Sequence, residues 1–214
     1  TLLSATISLS KGSIFESFTK FFITGGFMLE TNRLILRPFE LSDIEALYTL
    51  LKDKEVNTFL PWFPVKNIDE TIAFYETRFR NKKYHFAICL KKDNYPIGYI
   101  KVATDDSYDF GYALLQEHWH NGYITEAAKK LIEQLKEDNI PYITATHDKN
   151  NTRSGEVMKR VGMKYCYSYV EQWQPKNFLV TFRMYQLNFN GIDNFVYKKY
   201  WDMFGNHFIE NIHY

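Results

Sequence analysis

Asp109-Phe-Gly-Tyr-Ala-Leu-Leu-Gln-Glu-His-Trp-His-Asn-Gly-Tyr-Ile-Thr-Glu-Ala127 decides how this chain folds. Phe110 to Leu115 is an apolar run with polar flanks, the pattern of a buried strand. A polar loop through Gly122 follows it. Beyond the loop, Ile124, Ala127, Ala128, Leu131, Ile132 and Leu135 recur at helical spacing. A strand that turns through glycine into a helix leaves backbone N–H groups free at the positive end of the helix dipole, a place for a phosphate or pyrophosphate. An ordinary βα connection has the same local pattern, so the surrounding residues must separate the two.

To the N-terminal side, Arg33 to Arg37 alternates as a strand that Pro38 ends. Ser42-Asp43-Ile44-Glu45 reads as a capping box opening a helix with Ile44, Leu47, Tyr48 and Leu51 on one side. A Pro- and aromatic-rich loop, Phe59 to Pro64, separates it from a second helix over about 69–80. Phe86–Leu90 and Ile97–Val102 read as a hairpin turning over Lys91–Pro96. On the far side, Pro141–Thr146 reads as a strand leading into a helix at about 152–161 that Gly162 terminates. Met163–Val170 and Leu179–Leu187 are the last expected strands. This order predicts an α/β domain of the α+β kind, built on one mixed sheet.

The bulk numbers narrow the function classes. At 214 residues the chain suits one domain with appendages. A formal net charge of +1 gives no electrostatic case for nucleic acid or a membrane surface. No stretch is long and apolar enough to span a bilayer, and the start lacks the pattern of a secretory signal. Cys89 and Cys166 form no CxxC pair and read as reduced, buried small hydrophobes, which points to a cytoplasmic protein. Neither a GxGxxG nor a Walker-type GK[ST] run is present, which disfavours dinucleotide and nucleoside-triphosphate enzymes.

Three ordered segments carry a resemblance. Trp119-His-Asn-Gly-Tyr-Ile-Thr-Glu-Ala127 resembles the acetyl-CoA pyrophosphate loop of the GNAT acetyltransferase superfamily, closest to its ribosomal-protein N-terminal (alanine/serine) acetyltransferase-like branch. Leu29–Phe39 is similar to that branch's opening strand. Asn151-Thr-Arg-Ser154, followed by Met158-Lys-Arg-Val-Gly-Met163, is similar to its Asn-x-x-Ser helix and the turn after it. The resemblance implies a central, mostly antiparallel mixed sheet with helices on both faces over residues 28–188. Residues 1–27 are then expected to be a leader or extension, and 189–214 an aromatic-rich C-terminal extension. The extension reads as a helix over the domain surface, with a substrate-site cover or a dimer contact as sharper alternatives.

The resemblance further implies an N-acetyltransferase that moves acetyl from acetyl-CoA directly to a primary amine. Backbone near Ala113, Leu114 and Leu115 would meet the pantetheine arm and polarise the acetyl carbonyl. The N–H groups of Trp119, His120, Asn121, Gly122, Tyr123, Ile124 and Thr125 would hold the pyrophosphate, with Asn151 and Ser154 near the pantetheine. Many members use a tyrosine to protonate the leaving thiolate; Met158 holds that place here, which leaves Ser154 as the expected donor. Asn151 either caps its helix or bonds the pantetheine, and the two are compatible. Lys129 and Lys130 reach cofactor phosphates or are plain solvated charges. For the base, Glu117 ranks ahead of His118, His120 and His147, while Trp62, Phe63 and Trp173 are candidate walls for the acceptor. No metal is expected. The acceptor is an amine, with a peptide N-terminus first and an antibiotic or polyamine second; a non-catalytic CoA-binding module is the alternative outside enzymes. A monomer or homodimer is expected.

Overall fold

The computed structural model describes residues 27–189, 191 and 194–212. Strands β1 (Leu29–Glu30) and β2 (Leu34–Arg37) lead through a 3-10 turn, Leu41–Asp43, into α1 (Ile44–Lys52) and α2 (Ile68–Arg78). Then come β3 (His85–Leu90), β4 (Pro96–Val102), β5 (Phe110–Leu114), α3 (Tyr123–Glu137), β6 (Tyr142–Asp148) and α4 (Thr152–Arg160). β7 (Lys164–Trp173), β8 (Phe178–Asn188), a short α5 (Lys199–Met203) and β9 (His207–Phe208) complete the chain. The expected order of elements is found, and so is the α+β fold with helices on both faces.

The sheet is divided in the middle. One half runs β1-β2-β3-β4-β5 and the other β6-β8-β7-β9, with antiparallel pairing throughout each half. Between β5 and β6 the described residues form a single parallel bridge, Asp109 to Thr144, at one end. The two strands splay apart beyond it.

Strand alternation assigns the layers. In β3, Phe86, Ile88 and Leu90 face a cluster that includes Ala127, Leu131 and Leu135 of α3. The alternate Ala87 and Cys89 face Leu47, Leu50 and Leu51 of α1 on the opposite side. All six apolar positions expected for α3 are buried. Truncating fully buried Leu131 to alanine costs ~2–5 kcal/mol by the usual cavity and transfer terms. A third cluster joins Tyr167, Tyr169 and Trp173 of β7 to Phe182 of β8 and to Tyr197.

Two expected local features differ. The capping box lies two residues earlier: Glu40 and Asp43 cap the 3-10 turn reciprocally, and Ser42 stays on the surface. Asp43 is drawn there by Arg37, which grips both carboxylate oxygens at 2.7 and 2.9 Å. The C-terminal segment is also not one interrupted helix. Tyr200 and Phe204 stack on Tyr169, at ring separations of 5.4 and 4.8 Å, and β9 then adds to the outer edge of β7. Stacking of the two rings on Tyr169 partly buries them, and it sets the following residues against the free edge of β7.

Of the expected leader, residues 1–26 lie outside the described residues; Phe27 packs against Phe86, with ring centroids 6.1 Å apart. Cys89 is buried and Cys166 is only half-buried, on a bulge of β7, and neither is in a disulfide. Among the described residues no helix is long and apolar enough to cross a membrane.

Candidate active site

A cavity of about 670 Å3 fills the opening between the half-sheets. It is a size that suits a small-molecule substrate. Its walls come from both faces of the sheet: Trp119, Ile124, Asn151, Ser154 and Met158 on the α3/α4 side, and Trp62, Tyr169, Glu171, Trp173 and Tyr200 on the other.

β5 forms the inner edge of the opening, and its hydrogen bonding can be read from its neighbours. Leu115 N–H donates to Ile97 O at 2.9 Å, and Ala103 N–H donates to Asp109 O at 3.0 Å. Antiparallel ladders alternate, so the odd-numbered residues of β5 spend their backbone groups on β4. Phe110, Tyr112 and Leu114 therefore turn theirs toward the gap. Leu114 O already accepts from the Trp119 indole at 2.7 Å, leaving Tyr112 and Leu114 N–H as open donors. Of the backbone expected to meet a substrate arm, Ala113 and Leu115 point away from the gap, and only Leu114 faces it.

The loop after β5 makes a 3-10 turn, Gln116–His118, and then crosses two left-handed positions, His120 (φ 63°) and Gly122 (φ 76°). Gly122 is the N-cap of α3, and no side chain caps that helix. The N–H groups of Tyr123, Ile124 and Thr125 are thus orphan donors at its positive end. Glu126 N–H makes the first helical bond, to Gly122 O. Trp119 N–H is used within the turn, donating to Gln116 O at 3.0 Å, so the free amides begin at His120. Asn121 braces the loop: its amide donates to the carbonyls of His118 and Trp119, and its own carbonyl accepts from Arg33.

Arg33 and Arg153 hold the loop from two sides. Arg33 lies over the Tyr123 ring at 4.4 Å and pairs with Glu126 at 2.7 Å; Thr31 also donates to Glu126. Burial pushes the Glu126 carboxyl up, but the hydrogen bonds from Thr31 and Arg33 outweigh it and hold the group below its ordinary range. Arg153 sits over the Trp119 indole at 3.9 Å and lines the same cavity. Neither arginine stood out in the sequence, because a lone cation beside a motif looks like any solvated charge. Lys129 and Lys130 lie outside the cavity lining, and Lys130 pairs with Glu133 at 3.1 Å.

Asn151 caps α4, accepting from Ser154 N–H at 3.3 Å. The Ser154 hydroxyl is 2.8 Å from the Tyr112 hydroxyl, which also reaches Ser154 O at 2.9 Å. Burial raises the Tyr112 phenol, so it is a neutral donor at any physiological pH. Tyr112 was missed because an aromatic in an apolar strand reads as core. Met158 fills the cavity floor and is almost fully buried.

Glu117 does not reach the cavity. Its side chain is 75% exposed and lies 3.3 Å from His118 Nε2, because the 3-10 turn swings it outward. Phe63, 60% exposed, is likewise outside the lining, whereas Trp62 and Trp173 are in it. His118, His120 and His147 line the cavity. His147 is buried under α4 with its Nδ1 2.8 Å from Asp148 O, and burial lowers its proton affinity. Among the carboxylates that line the cavity, Glu171 lies on the β7 face. β7 runs three residues past its expected end, so Tyr169, Glu171 and Trp173 share the cavity face at alternate positions. Glu171 has no ion-pair or hydrogen-bond partner among the described residues, and burial alone raises its carboxyl. Both thiols are pushed up by burial, Cys89 to about 12 and Cys166 to about 11, which rules them out as ready nucleophiles.

The model of the acetyltransferase (GNAT) domain matches residues 33–164. The chain belongs to the GNAT acetyltransferase family. It is an N-acetyltransferase, similar to the uncharacterized N-acetyltransferase YnaD of Bacillus subtilis (strain 168), with 30% identity over 140 residues that cover 64% of this chain and 82% of YnaD. A GNAT acetyltransferase from Bacillus anthracis superposes with a TM-score of 0.69 at 24% identity, covering 76% of this chain and 98% of its own. The microcin C7 self-immunity acetyltransferase MccE, solved with acetyl-CoA and AMP, superposes with a TM-score of 0.65 at 21% identity, covering 74% of this chain and 94% of its own.

Proposed function

We propose that the cavity between the half-sheets is a two-sided transfer site, with acetyl-CoA entering from the α3/α4 face and the amine from the β7 face. The carrying observation is that one opening joins an uncapped helix N-terminus to an unpaired, half-buried carboxylate. The donor set on the first face fits the substrate. The amides of His120 to Thr125, with the α3 dipole and Arg153, suit a pyrophosphate. The open backbone of Tyr112 would pair with an amide of the pantetheine arm, and Leu114 N–H would stabilise the developing oxyanion.

Transfer forms an N–C bond to the acetyl carbon and breaks the C–S bond. The thiolate then takes a proton and the amine loses one. Ser154, bonded to the neutral Tyr112 phenol, is the donor nearest the expected sulfur position. Glu171 takes the ammonium proton, directly or through water; its raised pKa brings it closer to the working pH of a general base. An α-amine has a pKa of roughly 8, against about 10.4 for lysine, so a protein N-terminus or another weakly basic amine demands less of that base. This favours the α-amine acceptors of the ribosomal-protein branch over polyamines. The presence of AMP with MccE supports acceptors of the small-molecule kind as a second reading.

The test is a thermal-shift titration with acetyl-CoA, followed by thiol release over a panel of peptide α-amines and small amines. Acetyl-CoA is expected to raise the midpoint, and at least one acceptor to release CoA. No shift at millimolar acetyl-CoA would overturn the proposal.

A further inference from the structure

A second cavity of about 180 Å3 opens beside the acceptor side of the first and shares Trp62, Arg78, Tyr99 and Lys101 with it. Its lining contains three cationic side chains, Arg78, Lys82 and Lys101, together with His85, and neither aspartate nor glutamate. Arg78 makes no ion pair among the described residues; its guanidinium lies over the rings of Trp62 and Phe74 at 5.0 and 5.3 Å. Lys101 is held across Gly111, where a Cβ would stand 2.9 Å from its Cε, and it pairs with Asp109 at 3.2 Å. Tyr99 is 1% exposed, lines both cavities, and its hydroxyl has no hydrogen-bond partner among the described residues.

His85 lines the same pocket. Its Nδ1 is 2.6 Å from Arg78 O, so Nε2 is the nitrogen left for the pocket. Burial pushes its pKa down to about 4; the Arg78 carbonyl opposes the fall, and the charges of Lys101 and Lys82 add to it.

We infer that the acceptor carries an oxyanion, a carboxylate or phosphate, in addition to its amine, and that the side pocket holds this group while the amine faces Glu171. This rests on the transfer reading of the main cavity. Arg78 supplies a fork for two oxygens, Lys82 and Lys101 supply point charges, and the Tyr99 hydroxyl donates at the inner end. Such a pocket repels the second cation of a polyamine and accepts the free carboxylate of an amino acid or short peptide.

The test separates the two layers of the argument. With the CoA site saturated by CoA, phenyl phosphate is titrated calorimetrically into the wild type and Lys82→Glu; Lys82 is exposed, so that variant should fold. Phenyl phosphate is expected to bind, phenol not to bind, and Lys82→Glu to weaken binding about 10-fold or more. In acetylation assays, ω-amino carboxylates of graded length should exceed matched alkylamines in kcat/KM, and Lys82→Glu should invert that ratio. Inorganic phosphate should compete with the amino carboxylates alone. Equal binding of phenol and phenyl phosphate, or a preference for plain alkylamines, overturns the anion pocket and leaves acetyl transfer standing. Phenyl phosphate binding without competition against any acceptor overturns the assignment of the anion to the acceptor. Binding with no acetylation of any amine removes the transfer reading and, with it, the acceptor assignment.

Discussion

Ser154, Tyr112 and Glu171 illustrate how much a single position can disclose. Ser154 was legible because it stands in a motif; Tyr112, 2.8 Å from it, was not, because β5 shows only an apolar run. Ser154→Ala is expected to lower kcat ~10- to 100-fold with acetyl-CoA affinity near wild type, since the hydroxyl acts when sulfur gains charge. Tyr112→Phe should produce a similar loss, and the double variant should lose no more than the larger single one if the two hydroxyls act as a unit. Unchanged turnover in both would hand proton donation to solvent. Glu171 offers a sharper test, because its roles in stability and activity oppose each other. Burial holds its carboxyl above the ordinary value, so the charged form is a cost to the folded state at neutral pH that vanishes as pH falls. Glu171→Gln should therefore raise the thermal midpoint at pH 7 while flattening the acid limb of kcat/KM. A lower midpoint with an intact limb would return Glu171 to a surface role.

Elements with strong periodicity were read well, and those fixed by distant partners were not. α3 is legible down to each buried position because its stripe faces a sheet over its whole length. The turn before α1 is fixed by Arg37, six residues from the carboxylate it grips, and no local pattern announces that pair. The C-terminal segment has helical spacing, yet Tyr169 and the edge of β7 recruit it as a short helix and a strand. It supplies Tyr200 to the cavity wall, a contribution that no local signal marks. The start of α3 makes the clearest prediction at this scale. Gly122 holds φ 76°, and the amides after it are the proposed pyrophosphate cradle. Gly122→Asp adds both bulk and a negative charge there, and should abolish the acetyl-CoA thermal shift while the free enzyme still unfolds cooperatively. A retained shift would move the pyrophosphate elsewhere.

For the molecule as a whole, the pH response follows from a few groups. His85, with its pKa near 4, and His147 are both held below the ordinary 6.5 by burial, so the unfolded chain takes up protons that the folded one refuses. Stability should fall as pH drops from about 6.5 toward 4. It should fall further below that, as Asp105, Glu126, Asp138 and Glu210 are protonated through their lowered folded values. Urea midpoints measured across this range check the prediction, and a flat profile between pH 6.5 and 5 would contradict it. The division of the sheet has a consequence of a different kind. A strand with unpaired backbone is a template on which another chain can add and seed aggregates, and proteins usually blunt such edges. β5 keeps its unpaired side turned inward, toward its own β6 and the helices and strands that wall the cavity. The protein can therefore keep a ladder permanently ready for a thin, amide-bearing ligand, without offering that ladder to its neighbours in a crowded cell.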